Sequence, residues 1–406
     1  MNHNPLAGKT VVLGVSGGIA AYKSVELVRI LTTEGAIVRV VMTQSAQKFV
    51  GAATFQALTE QPVYTDMWDR DTDNSIRHIA WAQDADVVVI APATANIVGK
   101  MANGIADDPL STLVLAAVCP KLVCPAMNTK MFENPIVQEN LGKLASYGFS
   151  VMAPGAGFLA CGDVGPGRLP DPDKIADRII RLLTKQDLAG KCVLVSAGPT
   201  REPIDPVRFI SNPSTGKMGY AIARAAEHRG ARVILVSGPV SLCPPENVAV
   251  HKVTTALEMA EVVLAQADQA DIIIKTAAVG DYRCQTRAEQ KIKKSGDAMT
   301  LELVPNPDIL LELGKKKGNK VLIGFAAETE KLAAHAQEKL KKKNLDMIAA
   351  NLIGPSDSGF GADTNKITCF SCNGTEDSLG LMSKETAAHA ILDKALAFLP
   401  ECGAPA

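Results

Sequence analysis

Short apolar runs rich in Val and Ile alternate with helix-like segments along the whole chain. In the first half the runs are VVLGV, VRVVM, DVVVIAP, KLVCP and FSVMAP, and in the second half CVLVSAG, RVILVSG, DIIIKTA, KVLIGFA and LDMIAAN. Strands of this composition, separated by helices, are typical of parallel sheets that are covered on both faces. The pattern therefore predicts an α/β fold with doubly wound, Rossmann-like parallel sheets.

The alternation begins twice, which indicates two domains. LAGKTVVLGVSGG starts at Leu6 and LAGKCVLVSAGPT at Leu188, and in both a polar turn enters an apolar strand that ends in a Gly-rich loop. A length of 406 residues fits two or three domains. We predict domains 1–186 and 187–406, which meet within the segment TKQDLAG at 184–190. The halves lack sustained identity, so we infer no true repeat.

The charge and cysteine content exclude some classes of function. The chain has 42 Lys and Arg residues against 43 Asp and Glu, which argues against binding nucleic acid or a membrane surface through bulk charge. The most apolar stretch, LSTLVLAAVCPKLVCPAM, is interrupted by Pro120 and Lys121 before it could span a bilayer. The start, MNHNPLAGK, does not resemble a signal peptide. Nine cysteines then favour reduced thiols, and we expect a cytoplasmic protein.

One CxxC motif, from Cys369 to Cys372, directly precedes the dipeptide Asn373-Gly374. Asn-Gly is typical of a tight hairpin turn. The chain offers neither a second Cys pair nor an HxxxH motif for a zinc site. The motif therefore predicts two thiols in a hairpin strand.

Ligands of doubly wound sheets bind beyond the carboxyl ends of the strands, so the loops there are the candidate sites. In GVSGGIAAYK, Gly17 and Gly18 would let the backbone approach a ligand, Ser16 offers a hydroxyl, and the following helix start favours a phosphate. The second strand ends in MTQS without the acid that reads a dinucleotide ribose. That absence favours a mononucleotide, with Thr43, Ser45 and Ser111 as further donors. The alternative is a Gly-rich turn that binds nothing.

Three other residues of the first half are candidates, and each has an ordinary structural alternative. His78 precedes a strand and could be a structural histidine. Asn128, in PAMNTKM, could cap the helix that follows it. Cys161 could be a buried thiol. The many glycines around Cys161, in GAGFLACGDVGPGR, favour a loop that presents the thiol to a ligand.

The second half has a Gly-Lys sequence in PSTGKMG that does not complete a P-loop. A P-loop needs Gly five residues before Gly216 and a hydroxyl after Lys217, where the chain has Ser211 and Met218. NPSTGKMG nevertheless opens a helix, whose N–H groups can meet an anion. Asp205, Arg208 and Asn212 lie in the preceding proline-rich loop, which predicts either a preformed polar pocket or a charged surface loop.

The motifs of the first half resemble the flavin-dependent cysteine decarboxylase family. The resemblance is carried by GVSGGIAAYK, the His before a strand, APATAN, PAMNTKM and ACGDVGPGR. It implies a flavodoxin-like domain that binds FMN and removes CO₂ from an N-acyl cysteine. In that reaction His78 assists oxidation of the substrate, Asn128 holds its carboxylate, and Cys161 donates the final proton. The residues implied around FMN are Ser16, Gly17, Gly18, Thr43, Ser45, Ser111, Ala126 and Met127.

The second half resembles the ligase domain that bacterial bifunctional members of this family carry. The resemblance rests on GPTREPIDPVRFISNPSTGKMG, AAVGDYR, KIKK, NPDI, GFAAET and KxxxKNLD. It implies a nucleotide-binding domain in which CTP activates 4′-phosphopantothenate as an acyl-cytidylate that cysteine then attacks. Asn212 and Lys291 would be catalytic. The residues implied around CTP are Asp281, Lys291, Asn306, Pro307, Asp308, Ile309, Phe325, Lys339 and Lys343. Pro213 to Thr215 and Gly280 depart from the family pattern.

Together the two halves predict a bifunctional enzyme of coenzyme A synthesis. The ligase in the second half would act first, and its product would be the substrate of the decarboxylase in the first half. Mg²⁺ is expected with the triphosphate, although the sequence indicates no metal ligands. The resemblance also implies a homo-oligomer with flavin sites at subunit contacts. Alternatives are a flavin-binding regulatory protein without activity, a flavin prenyltransferase and a nicotinamide-dependent reductase. The Cys161 loop argues against the prenyltransferase, and the missing ribose acid argues against the reductase.

Overall fold

The computed structural model describes residues 4–68, 76–158, 162–294, 296, 298–328, 332–352 and 361–399. Contacts between residues divide it into two compact units. The N-terminal unit comprises residues 4–184, and the C-terminal unit comprises the described residues from Lys185 onward. No helix among these residues is long and apolar enough to cross a membrane.

The N-terminal unit is built on a five-stranded parallel sheet with the strand order β2-β1-β3-β4-β5. This order is that of flavodoxin-like sheets, as the sequence predicts. Its strands are β1 (Thr10–Val15), β2 (Ile37–Met42), β3 (Val87–Ala93), β4 (Lys121–Pro125) and β5 (Ser150–Val151), and β6 (Gly155–Phe158) pairs with β7 (Val164–Arg168) as a separate hairpin. Its helices are α1 (Tyr22–Thr33), α2 (Ala52–Thr59), α3 (Arg77–Asp84), α4 (Ala95–Ala102), α5 (Pro109–Ala116), α6 (Thr129–Phe132), α7 (Pro135–Ser146) and α8 (Pro172–Leu183).

Helices cover both faces of this sheet, because its central strands are apolar on both sides. Every residue of β3 is buried. One face packs against α1 and α8 through residues such as Leu27 and Ile179. The other packs against α3, α4, α5 and α7 through residues such as Trp81 and Leu110. The doubly wound architecture is therefore confirmed in this unit.

The C-terminal unit holds an eight-stranded sheet with the order β12-β11-β8-β13-β16-β17-β18-β19. Its strands are β8 (Cys192–Ala197), β11 (Arg232–Ser237), β12 (Ala249–Lys252), β13 (Ile272–Lys275), β16 (Val321–Glu328), β17 (Met347–Leu352), β18 (Thr364–Ser371) and β19 (Glu376–Ser383). Short pairs are formed by β9 (Arg201–Pro203) with β10 (Phe209–Ser211) and by β14 (Tyr282–Cys284) with β15 (Leu303–Pro305). The helices are α9 (Lys217–His228), α10 (Ala256–Gln266), α11 (Ile309–Lys315), α12 (Leu332–Lys342) and α13 (Lys384–Leu396).

The first six strands of this sheet are parallel, and β18 and β19 extend it as an antiparallel hairpin. The turn of the hairpin contains Gly374, whose φ of 89° suits glycine. Cys369 is buried within β18 and Cys372 is exposed just after it. The predicted hairpin is therefore confirmed, and burial raises the pKa of the Cys369 thiol to about 11.

The segment that follows α8 is anchored to the C-terminal unit by a buried arginine. Arg229, 4% exposed, binds both carboxylate oxygens of Asp187 at 2.7 and 2.9 Å and Asp393 at 2.7 Å. Leu188 is fully buried in the core of the same unit. A fragment that keeps these contacts must therefore begin no later than Asp187.

We expect Asp187→Ala to lower the unfolding free energy of the C-terminal unit by about 3 kcal/mol, since it removes one partner of a buried cation. Asp268→Ala is the matched control, because Asp268 is 91% exposed and pairs with Lys320 at 3.4 Å. Its cost should be within about 1 kcal/mol. Urea unfolding of both variants measures the difference. Equal stabilities would contradict the anchoring role of Asp187.

Candidate active sites

The N-terminal unit has a cavity of about 630 Å³ at the carboxyl ends of β1, β3 and β4. This volume is ordinary for a cofactor or small-molecule site, and the position is where open α/β sheets bind ligands. The lining residues are 17–20, 22, 23, 94–96, 126–128, 131, 158 and 167–169. Four of the quoted motifs contribute to them: GVSGGIAAYK, APATAN, PAMNTKM and GPGR.

A buried serine ties together the two strands beneath this cavity. Ser16, 1% exposed, donates its hydroxyl to the carbonyl of Pro92 at 2.7 Å and accepts from the N–H of Thr94 at 3.0 Å. The hydroxyl proton of Ser16 is therefore already used in a hydrogen bond within the protein. Ser16 holds the loop after β1 against the loop after β3, and it lies behind the lining rather than in it.

The two glycines of this loop have different surroundings. A Cβ on Gly17 would lie 2.3 Å from Ser45 Cβ and 2.8 Å from the carbonyl carbon of Ser45, so tight packing requires glycine there. A Cβ on Gly18 would come no closer than 3.5 Å to Thr94 Cγ2. Gly18 also has φ −152° and ψ 160°, which any residue can adopt. The protein alone does not require a glycine at position 18.

Asn128 caps a helix and also lines the cavity. Its amide oxygen accepts from the N–H of Lys130 at 2.8 Å, so the helix-cap alternative is confirmed. Its amide nitrogen donates to Asp163 Oδ2 at 2.9 Å. The Asn128 amide therefore faces a carboxylate in the protein itself.

The PAMN loop is joined by backbone hydrogen bonds to β7 and to the end of β3. The N–H of Met127 donates to the carbonyl of Gly167 at 2.9 Å, and that of Ala126 donates to Ala93 at 2.9 Å. A Cβ on Gly167 would lie 2.2 Å from the Met127 oxygen, and its φ is 141°. Only glycine fits this close approach.

Two basic side chains line the cavity. Lys23 and Arg168 line it, and no carboxylate is among its described lining residues. Lys23 pairs with Asp171 at 3.2 Å, whereas no ion pair of Arg168 occurs within the described part of the chain. Such a cavity favours an anionic ligand. Lys23 and Thr94 belong to the quoted loops, yet sequence reasoning did not single them out.

The structure brings only some of the predicted flavin-site residues together. Gly17, Gly18, Ala126, Met127 and Asn128 line the cavity. Thr43 accepts from the N–H of Ala46 at 3.3 Å, and Ser45 is an exposed residue packed against Gly17.

Three other predicted residues lie elsewhere or are not described. Ser111 forms a capping box with Asp108 at the start of α5 and lines a different cavity, of about 400 Å³. His78 is half-buried at the start of α3, outside the 630 Å³ cavity lining. Cys161 lies outside the described residues.

The C-terminal unit has a cavity of about 380 Å³ between the start of α9 and the carboxyl ends of β8, β13 and β16. Asn212, Asp281, Phe325 and Lys339 line it, as predicted for a nucleotide site. The amide nitrogen of Asn212 donates two hydrogen bonds of 3.2 Å, to the carbonyls of Ala278 and Val279. Residues 216–219 at the start of α9 also line the cavity, and the first N–H groups of a helix have no partner within the helix.

The NPDI segment, residues 306–309, and Lys343 are not among the described residues that line this cavity, and contacts within the protein fix their positions. Asn306 donates its amide to the carbonyl of Gly280 at 2.8 Å. Asp308 caps α11 by accepting from Leu311 N–H at 3.1 Å, and it pairs with Lys343 at 2.8 Å. Pro307 is exposed and Ile309 is buried. A Cβ on Gly280 would meet its nearest atom, Glu202 Cγ, at 3.4 Å, so this departure from the family pattern needs no change of backbone.

Lys291 is exposed and is not among the described residues that line the cavity. The next residue, Ile292, is held on both sides of its backbone. Its N–H donates to Asp205 Oδ2 at 3.1 Å, and its carbonyl accepts from Arg208 at 3.1 Å. Asp205 and Arg208, predicted to form a polar pocket, thus fix the position of the segment that carries Lys291.

Three further lysines in this cavity escaped sequence reasoning or were set aside by it. They are Lys217, Lys275 and Lys384. Lys217 pairs with Asp363 at 2.6 Å, and Lys384 donates to the carbonyl of Ala362. Among the described residues, no group of three or more His, Cys, Asp or Glu side chains is arranged to hold a metal ion.

Comparison with known proteins assigns the chain to a family. Residues 2–184 match the family model "Flavoprotein", and residues 188–399 match "DNA/pantothenate metabolism flavoprotein C-terminal domain". The chain is 48% identical to the coenzyme A biosynthesis bifunctional protein CoaBC of Bacillus subtilis (strain 168), over 98% of this chain and 99% of that protein. It is 46% identical to the protein of that name from Escherichia coli (strain K12), over 96% and 97%.

A solved structure of the C-terminal domain of such a protein is 42% identical, covers 53% of this chain and 98% of that chain, and has a TM-score of 0.46. The two family models together define a flavoprotein with an added C-terminal domain. The chain belongs to the family of coenzyme A biosynthesis bifunctional proteins.

The surroundings of the two glycines predict opposite responses to a methyl group. We expect Gly17→Ala to lower the unfolding free energy of the N-terminal unit by about 1–3 kcal/mol, because the Cβ must displace Ser45. Gly18→Ala should change it by less than about 1 kcal/mol. Thermal unfolding of the two purified variants measures both effects. A stable Gly17→Ala variant would contradict the packing described here.

Proposed function

We propose that the chain converts 4′-phosphopantothenate into 4′-phosphopantetheine in two reactions. The C-terminal unit joins 4′-phosphopantothenate to cysteine with CTP, and the N-terminal unit removes CO₂ from the product. One observation carries the proposal: each unit has its own cavity, lined by basic side chains, at the carboxyl ends of its strands. Both substrates carry phosphates, and membership of the bifunctional family supports the pairing of the two reactions.

The 630 Å³ cavity of the N-terminal unit fits FMN. Its walls are apolar at Met127 and Met131, as a flavin ring requires, and basic at Lys23 and Arg168, as a phosphate requires. The backbone at Gly18 leaves room for close approach. When bound, FMN supplies a two-electron acceptor and donor. The missing acid after β2 favours FMN over a dinucleotide.

Asn128 is proposed to orient the substrate in this reaction. Its amide nitrogen donates to the carboxylate of Asp163 in the protein, and this contact supports a role in binding a carboxylate. A substrate carboxylate in the cavity would replace Asp163 as the acceptor and would be held where CO₂ leaves. His78 is proposed to assist the earlier oxidation of the substrate, and Cys161 to protonate the decarboxylated product.

His78 lies outside the cavity lining of its own unit, so its proposed role needs a second copy of the chain. We therefore propose a homo-oligomer in which His78 of the partner subunit completes the site. Exposed apolar side chains near α4 and α5 support subunit contacts: Ile105 is 48%, Leu115 62% and Val118 92% exposed.

The C-terminal cavity is proposed to hold CTP and the pantothenate carboxylate. The start of α9 and Lys339 would contact the phosphates, as Mg²⁺ would, and Asn212 would assist formation of the acyl-cytidylate. Lys291 would neutralise negative charge that develops in this step. The cytoplasmic location remains a prediction from sequence.

The substitution Cys161→Ser tests whether the Cys161 thiol has a catalytic role or only a packing role. A hydroxyl is a far poorer acid than a thiol with an ordinary pKa near 8.5, so the last protonation should fail while oxidation and CO₂ loss survive. After anaerobic addition of 4′-phosphopantothenoylcysteine, the flavin absorbance should fall and remain low. The released compound should be two hydrogens lighter than 4′-phosphopantetheine. His78→Asn should instead leave the flavin absorbance unchanged.

The control for Cys161→Ser is Cys243→Ser, which changes an exposed thiol and should leave the reaction intact. Formation of normal 4′-phosphopantetheine by Cys161→Ser would refute the proton-donor role. A purified wild-type protein without flavin would refute the proposed chemistry of this unit.

Lys291→Gln should lower the ligation rate by roughly 10²–10³, because it removes a cation that stabilises charge in the transition state. Decarboxylation of added 4′-phosphopantothenoylcysteine should be unchanged, since it occurs in the other unit. Lys294→Gln, in the same segment, is the matched control. Release of pyrophosphate from CTP measures the first step. Equal losses of both activities would contradict separate sites.

A further inference from the structure

Lys275 lies at a position where an α/β sheet binds its ligand. It is the last residue of β13, which pairs with β8 on one side and β16 on the other. The chain leaves β8 toward β11 and returns at β13, so the order of strands reverses between β8 and β13. Such a reversal opens the crevice in which ligands bind. Lys275 lines the 380 Å³ cavity at this point.

Lys275 differs from Lys217 and Lys343 in having no ion pair within the described residues. Lys217 pairs with Asp363 at 2.6 Å, and Lys343 pairs with Asp308 at 2.8 Å. The hydrogen bond of Lys275 is a long contact of 3.5 Å to the carbonyl of Ala277. Within the described part of the chain no carboxylate comes within ion-pair distance of its ammonium group.

Charges of both signs surround Lys275, but no described carboxylate pairs with it. Burial lowers its pKa to about 8, and Lys343 and Lys339 lower it too, while Asp308 and Asp281 act in the opposite direction. Two more cations line the same cavity, Lys217 from α9 and Lys384 from α13. A cation in these surroundings is unfavourable in the free protein. The arrangement becomes favourable when a ligand brings several negative charges.

We propose that Lys275 binds a phosphate group of the nucleoside triphosphate in the C-terminal cavity. The proposal rests on the ligase function proposed above, and it adds a residue that the family resemblance did not imply. Lys275 is then a binding residue whose cost to folding is offset when the triphosphate enters. A triphosphate supplies negative charge close to this lysine, where no described carboxylate lies within ion-pair distance.

If Lys275 has this role, replacing it should stabilise the free protein and weaken its binding of the nucleoside triphosphate. The pKa of Lys275 is lower in the folded protein than its ordinary value near 10.4 in an unfolded chain. Its charge therefore destabilises the fold fully below pH 8, and this destabilisation fades as the pH rises toward 10. Lys275→Met should raise the melting temperature at pH 7. A purely structural lysine would give the opposite result.

The test is calorimetric titration of the full-length protein with CTP and with inorganic tripolyphosphate, in the presence of Mg²⁺. Loss of a charge-assisted hydrogen bond should weaken binding of both ligands by roughly tenfold or more in Lys275→Met. Lys252→Met, which removes an exposed lysine of β12, is the control and should bind as the wild type does. At pH 8.5, titrations in two buffers of different ionisation enthalpy should show proton uptake by the wild type and less by Lys275→Met.

A second measurement uses the wild-type protein alone and does not depend on the folding of a variant. A partly neutral amine reacts readily with an acetylating reagent, so mass spectrometry should find Lys275 acetylated at pH 8 and protected by CTP. Lys252 should react equally with and without CTP. Wild-type binding of CTP with neither weakening in Lys275→Met nor protection of Lys275 would overturn this proposal alone. Absence of CTP binding by the wild type would overturn the ligase function as well.

Discussion

In both units a buried serine beside the cavity joins two neighbouring parallel strands, β1 to β3 in the N-terminal sheet and β8 to β13 in the C-terminal sheet. In the N-terminal unit Ser16 bonds to Pro92 and Thr94. In the C-terminal unit the hydroxyl of Ser196, 3% exposed, accepts from the N–H of Ala277 at 3.3 Å. In each case the serine fixes the backbone that follows β3 or β13 beside the end of β1 or β8. The serine therefore fixes the backbone at the strand ends, where a ligand of such a sheet binds.

The second shared constraint is an excess of positive charge at these strand ends. Lys23 and Arg168 line one cavity, and four lysines line the other, where Asp281 is the carboxylate among the described lining residues. Lys275 is the clearest case, because burial lowers its pKa and its charge therefore costs stability in the free protein. A ligand with phosphates supplies negative charge at this position. The charge pattern therefore connects the fold to the phosphorylated substrates of both proposed reactions.

The strands, the loops at their carboxyl ends and the hairpin of β18 and β19 could be predicted from sequence, because they follow from apolar periodicity and turn residues. The direction of individual side chains could not. Ser16 and Ser111 each have a hydroxyl that could donate a hydrogen bond to a phosphate. In the structure Ser16 bonds to the neighbouring strand and Ser111 to Asp108. Lys275 was missed because a lysine at a strand end usually faces solvent. Its environment is created by α11 and α12, which are distant in sequence.

The most direct test of two separate ligand sites is a crystal structure of the Lys291→Gln variant with FMN, CTP and 4′-phosphopantothenate. This substitution should slow turnover enough to retain the substrates. The account predicts the flavin beside Gly18, Met127 and Asn128. It predicts the triphosphate between the start of α9 and Lys275. A triphosphate bound outside the cavity of the C-terminal unit, or a flavin outside that of the N-terminal unit, would contradict it.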